Sequence, residues 1–266
     1  MDYVLVLAAI IQLLIALGVF TVLVRIGKFT FNKFRSSSFF KNSRFLKLHE
    51  YFPSEEVFAL KQVFYLILIL IFIVIILYLL FDWGNYYFVF ALDIIISLYI
   101  AINMGKDSFK EKSVLFLLIP FSSITGLLFG NIEIINLLDI FHVMGYLYFI
   151  NVYYHKFVQY TESNSLGITI MLLFSIILVT FLVTIIAENV SPLDSITMVS
   201  NAFTSNSFEA SGNTTVGKLN SLVLAWGGFI LSGVGTATLA VSIVLGYVNQ
   251  RFDEIEDLVR QKKKKD

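Results

Sequence analysis

The amino-acid sequence predicts an all-α membrane protein with about seven transmembrane helices and a short re-entrant segment between the last two. Three observations carry that expectation. Of the 266 residues, 58% are hydrophobic, 16% aromatic and only 14% charged, with a mean hydropathy of +0.83, which is more apolar surface than a water-soluble core can bury. Apolar runs of the length needed to cross about 30 Å of hydrocarbon recur along the chain. The positive charges, with one exception, fall where a seven-crossing path puts them on one side of a membrane.

Taken in order, the runs lie at 3–25, 63–82, 86–104, 114–130, 133–154, 166–187 and 220–247. The first follows Met1-Asp2-Tyr3 with no basic leader and no small-residue cleavage site, so it is expected to stay as a helix. The fourth carries Pro120, and the fifth is interrupted by Glu133, Asp139 and His142. With the N-terminus outside, the inner segments hold Arg25, Lys28, Lys33, Arg35, Lys41, Arg44, Lys47 and Lys61, then Lys106, Lys110, Lys112 and Lys156, then Arg251, Arg260 and Lys262 to Lys265. Eighteen of nineteen basic residues are then inside, and only Lys218 is outside. The expectation is a multi-pass cell-membrane protein with a cytoplasmic C-terminus. The connector 27–62 mixes Phe29, Phe31, Phe34, Phe39, Phe40 and Phe45 with basic residues. It reads as an amphipathic segment on the anionic inner leaflet, and equally as an ordinary positive connector. Four regions follow: an N-terminal helix and connector over 1–62, a four-helix domain over 63–165, a domain over 166–248 built around the re-entrant segment, and a basic tail over 249–266 that continues the last helix.

The stretch 201–212, NAFTSNSFEASG, is polar yet stands between two long apolar runs, after a short amphipathic run that starts at Ser191-Pro192-Leu193-Asp194. Irregular backbone at membrane depth survives only where protein or water satisfies its amides and carbonyls. A helix ending in Glu188, a turn, a short helix over 193–203, a threonine-led polar loop and a glycine-containing helix follow one another over 176–248. This order resembles the pore module of the potassium-channel superfamily, over roughly the last third of the chain. The resemblance implies a tetrameric cation channel, each subunit supplying two helices, a pore helix and a filter loop. It implies that Thr204, Ser205, Asn206, Ser207, Phe208 and Glu209 form the selectivity filter, with Phe208 at the aromatic position. Glu188 stands where many potassium channels place an acid that braces the filter. A cap on the helix end is its equally weighted alternative role. Two residues depart from the pattern: Ser207 and Glu209 occupy the glycine positions, where left-handed backbone costs a side-chain-bearing residue about 1–2 kcal/mol. Selectivity between potassium and monovalent cations in general is therefore left open by the sequence. Glu188, Asp194 and Glu209 against the single Lys218 make an anionic vestibule that concentrates cations.

In the last run, Gly233 and Gly235 are candidates for a gating hinge, with packing as the alternative role of a membrane-helix glycine. The helix 133–154 contains no arginine or lysine, which excludes a voltage sensor of the arginine type. It does contain Asp139 and His142, three residues apart on one face, and with Asp93 in the third run these form a candidate intramembrane polar cluster. Its two readings are a proton-sensitive latch, in which an Asp139–His142 pair is linked to Asp93, and a clasp that orients helices.

With no cysteine and three dispersed histidines, neither a disulfide nor a metal site is expected. No paired catalytic acids and no HExxH or GxSxG motif point to an enzyme. The expectation is therefore a passive channel with no cofactor, permeated by monovalent cations with potassium first among them. Its partners are three further copies of itself and membrane lipid, with no nucleic acid. The alternative is a secondary transporter whose broken segment 188–220 binds substrate at mid-membrane.

Overall fold

Long apolar runs that lack internal proline become long helices, because in hydrocarbon every backbone N–H and C=O has to be satisfied within its own segment. The computed structural model describes residues 3–36, 54–81, 83, 86–104, 109–130, 135, 137–161, 166–204 and 212–263. Among the described residues there is no strand, and the helices are α1 (Tyr3–Ser36), α2 (Ser54–Leu80), α3 (Tyr86–Asn103), α4 (Phe109–Leu117), α5 (Phe121–Phe129), α6 (Asp139–Thr161), α7 (Leu166–Glu188), α8 (Pro192–Thr204) and α9 (Thr215–Lys263). Four stretches are long and apolar enough to cross a membrane: Val6–Lys33, Lys61–Leu80, Lys112–Phe129 and Gly167–Glu188. The other three expected crossings are helical in large part but are not among these four. The apolar part of α3 is short, and α6 starts only at Asp139 and carries polar side chains. The connector 27–62 is partly helical, since α1 continues to Ser36 and α2 begins at Ser54.

The chain divides into two compact units. One comprises 1–46 with 68–154, and the other 47–67 with 155–266. In the first unit α1, α3 and α5 pack on one another. Ala16 and Ala101 are fully buried and let the backbones approach, while Phe20, Val24, Ile119 and Ile124 fill the space around them. The Lys28 ammonium donates to the Met104 carbonyl at 2.9 Å, satisfying an orphan acceptor just past the end of α3.

Pro120 has the local effect its chemistry demands. It has no N–H to give, and the helix of 109–129 breaks between α4 and α5. The Phe121 amide bonds the Ile119 carbonyl at 2.9 Å. It is thereby diverted from Leu117, its partner in an unbroken helix, and the Leu117 carbonyl is released for another donor.

In the second unit α7, α8 and α9 pack on one another. Asn189 follows α7 with a left-handed φ of 51° and turns the chain sharply. Ser191 and Asp194 then close a reciprocal cap on α8: the Asp194 amide donates to the Ser191 hydroxyl at 3.2 Å, and that hydroxyl donates to the Asp194 carboxylate at 2.6 Å. α9 runs unbroken from Thr215 into the basic tail.

Candidate functional site

The helix expected over 193–203 exists as α8 (Pro192–Thr204), and polar bonds seat it between its neighbours. The buried Ser195 hydroxyl donates to the Phe181 carbonyl of α7 at 2.8 Å. The Asn220 amide group donates to the Thr180 carbonyl at 3.0 Å and to the Thr184 hydroxyl at 2.9 Å, which ties α9 to α7. Thr184 spends its own hydrogen on the Thr180 carbonyl at 2.8 Å, so its oxygen is free to accept. Ser195 and Asn220 were not singled out from the sequence, where one serine or asparagine in an apolar helix looks like any other.

Glu188 is the centre of this arrangement. Its carboxylate accepts the Asn213 amide at 2.7 Å, the Thr214 amide at 3.0 Å and the Thr214 hydroxyl at 2.5 Å. The Thr214 hydroxyl oxygen in turn accepts the Gly217 amide at 3.0 Å in the first turn of α9. Glu188 is thus more than a cap on α7: it holds the chain where the loop after α8 enters α9. Gly212 and Gly217 make the grip possible, since a Cβ at either would collide with the carboxylate. Asp194 contributes through its cap on α8, described above, and is exposed.

Of the filter candidates, Thr204 is the last residue of α8, and its hydroxyl returns to the Ser200 carbonyl at 2.8 Å. Ser205, Asn206, Ser207, Phe208 and Glu209 lie outside the described residues. Below Thr204, an open hollow is lined by Phe203 and Thr204 of α8 and by Gly228, Ser232, Gly233 and Thr236 of α9. The C-terminal end of α8, with the partial negative charge of a helix C-terminus, meets this hollow.

Contact distinguishes Gly228 of α9 from the hinge candidate Gly233. A Cβ at Gly228 would come within 2.5 Å of the Phe203 carbonyl oxygen and 2.9 Å of its ring, whereas nothing lies within 4 Å of one at Gly233. Gly235 sits in the same unbroken helix. Gly228→Ala is therefore expected to unseat α8 and to lower stability by about 1–3 kcal/mol. Gly233→Ala, in open space, should leave stability unchanged or raise it by up to about 1 kcal/mol through helix propensity. Thermal unfolding of the two variants in detergent measures the contrast.

The polar candidates of the first unit are brought together. Asp93, His142 and Asp139 are all buried. His142 Nε2 lies 3.0 Å from Asp93 Oδ1, and Nδ1 lies 2.9 Å from the Leu117 carbonyl released by the break at Pro120. Gly145, one turn on, brings α6 close to that carbonyl, where a Cβ would come within 3.1 Å of the oxygen. Asp93 also accepts the Tyr146 hydroxyl on Oδ1 and the Ser123 hydroxyl on Oδ2 at 2.5 Å. Having given its only hydrogen to Asp93, Tyr146 accepts one from Ser97 at 2.9 Å.

Proton counting fixes the summed charge of His142 and Asp93. A carbonyl only accepts, so Nδ1 carries hydrogen, and Nε2 shares a single further proton with Asp93. Whichever atom holds that proton, the histidine and aspartate sum to zero charge. His142 therefore pairs with Asp93 and not with Asp139, the partner expected from the sequence, while Asp139, at the start of α6, has Ser122 as its partner. Ser97, Ser123 and Tyr146 were not anticipated from the sequence. Among the described residues no group of acids and histidines is arranged to hold a metal ion.

No family model, no curated protein and no solved structure matches this chain. The functional reading rests on the residues and their geometry.

Proposed function

We propose that the chain is one subunit of a passive cation channel with a potassium-channel-like pore, in which four copies surround one axis in a cell membrane. In this reading the chain crosses seven times with its N-terminus outside and its C-terminus in the cytoplasm. α7 and α9 are the pore-forming crossings, α8 is the pore helix, and the loop after it carries the filter. The observation that carries the reading is the Glu188 carboxylate gripping Asn213 and Thr214, because it anchors the return of a polar loop whose other end is the C-terminus of α8. A loop held at both ends is what a filter requires, since its carbonyls have to stay in place while ions pass. Two further features support it. The negative end of α8 faces a hollow with Ser232 and Thr236 on its wall, a favourable setting for a hydrated cation. A ring of four Glu209 side chains adds negative field at the mouth. The permeant species are monovalent cations, potassium or several without strict selection, and gating does not use an arginine sensor.

Reconstitution in planar bilayers with potassium, sodium and calcium exchanged in turn tests the proposal. Glu209→Gln is expected to lower cation conductance or to shift reversal potentials. Unchanged currents and potentials take Glu209 out of the path. A purified protein that is a monomer with no central pathway removes the channel reading altogether.

The alternative is a secondary transporter whose broken segment 188–220, interrupted between α7 and α8 and again between α8 and α9, binds substrate at mid-membrane. Saturable flux coupled to a second solute, in place of ohmic current, decides for it.

A further inference from the structure

α9 is 49 residues long, about 74 Å at 1.5 Å per residue. That exceeds the roughly 30 Å of a hydrocarbon core by far. Its C-terminal half carries a repeat that the channel reading does not use. Val241, Leu245, Val248, Phe252 and Ile255 are separated by four, three, four and three residues, and Val259 continues the series. This is the alternation of a coiled-coil seam. The first five are all exposed in the single chain, with Phe252 at 66% and Ile255 at 56%. Flanking the seam are Arg251 and, five residues on, Glu256. With Phe252 at an a position and Ile255 at d, Arg251 falls at g and Glu256 at the next e. In a parallel pair of helices those two positions face each other across the seam. Lys262 falls on the next seam position and ends the repeat, while Asp253, Glu254 and Asp257 occupy outward positions.

We propose that residues 241–259 of α9 form a parallel, in-register coiled coil with a second copy of this chain. The occupant is another copy, because the face is self-complementary in charge as well as apolar: the Arg251 of one chain meets the Glu256 of the next, and the reverse. Within its own chain Arg251 holds Glu254 at 2.8 Å with the two side chains 60% and 50% exposed. So exposed a pair contributes little, and it gives way readily to an interchain one. Copies inserted in a membrane with one orientation also present α9 in the same direction, as a parallel seam requires. The inference concerns assembly alone and does not depend on ion conduction.

The chain has no cysteine, so every disulfide reports on a residue placed by design. Phe252→Cys, Ile255→Cys and Glu254→Cys are expressed separately in the full chain, oxidised mildly in membranes and run on non-reducing gels. The first two are expected to give a covalent dimer that reductant reverses, and the outward Glu254→Cys is expected to stay monomeric. Equal cross-linking at all three sites, or none at the seam sites in protein that elutes as wild type, overturns the proposal. In the Ile255→Cys background, Arg251→Glu is expected to reduce dimer yield about threefold through like-charge contacts with Glu256, and adding Glu256→Arg is expected to restore it. A double variant as poor as the single one overturns the register. Cross-links in a preparation that passes no current leave the coiled coil standing and count against the channel, whereas current without seam cross-links does the reverse.

Discussion

His142→Ala is expected to lower the stability of the first unit by about 3–5 kcal/mol, the range found when one partner of a buried charged pair is removed. Alanine takes away two hydrogen-bond partners at once. The Leu117 carbonyl, already deprived of its helical donor by the break at Pro120, loses the imidazole Nδ1, and Asp93 loses Nε2. What remains is a buried carboxylate held by Ser123 and Tyr146 alone, beside a void left by the ring. Asp93→Asn is the milder counterpart. It keeps the shape and an acceptor for Tyr146, but leaves His142 with no group to share its second proton. Tyr146→Phe removes one donor to Asp93 while the ring keeps its stacking on Phe72, whose centroid lies 5.0 Å away. It should cost about 1–3 kcal/mol. Unfolding followed by tryptophan fluorescence in lipid nanodiscs ranks the three. If His142→Ala unfolds with the wild-type midpoint, the cluster does not hold these helices together.

The same cluster marks how far the sequence could be read. The apolar runs at helical length were legible because length and apolarity are properties of a segment alone. Pro120 was visible within the fourth run, though that run was still expected to cross as one helix, and Asp93, Asp139 and His142 announced polar company in an apolar setting. The pairing expected, Asp139 with His142, was wrong, because the answer turns on a carbonyl freed at Leu117, twenty-five residues from His142. Ser97 and Ser123 gave no signal, since hydroxyls in apolar helices ordinarily bond their own backbone, as Ser175 and Thr180 do here. The glycines show a similar limit. Gly233 stood out by its mid-helix position, yet the close contact with α8 belongs to Gly228, and the distance between helices is not written along either one. For Glu188 the sequence showed an acid at a helix end but not its partners, since two of the three donors are backbone amides that any residue type supplies.

Those partners make Glu188 the position where a small change should have the largest functional effect. Glu188→Gln keeps the length and nearly the volume of the side chain but replaces one acceptor oxygen by a donor nitrogen. Both oxygens of the native carboxylate are engaged, Oε2 by the Asn213 amide and Oε1 by the amide and hydroxyl of Thr214. A glutamine therefore leaves at least one backbone amide facing a donor, and the bonds it retains lose the strengthening that charge provides. The loss of a charge-assisted bond is worth about 1.5–3 kcal/mol, enough to shift the loop from mostly held to mostly released. In the proposed channel, current per purified subunit is expected to fall more than about tenfold, the factor that corresponds to 1.4 kcal/mol, while α7 and α9 remain folded. Gly217→Ala should produce the same loss by the opposite route, because its methyl group enters the space of the carboxylate. The two changes should interact. Glu188→Asp withdraws the carboxylate by one methylene and is expected to recover part of the current in a Gly217→Ala background, though it lowers the current when Gly217 is intact. Bilayer recordings of the two single variants and the double one give the coupling directly. Strictly additive losses would mean that Glu188 and the turn at Gly217 act on permeation separately, and the clamp would then be no part of the filter's support.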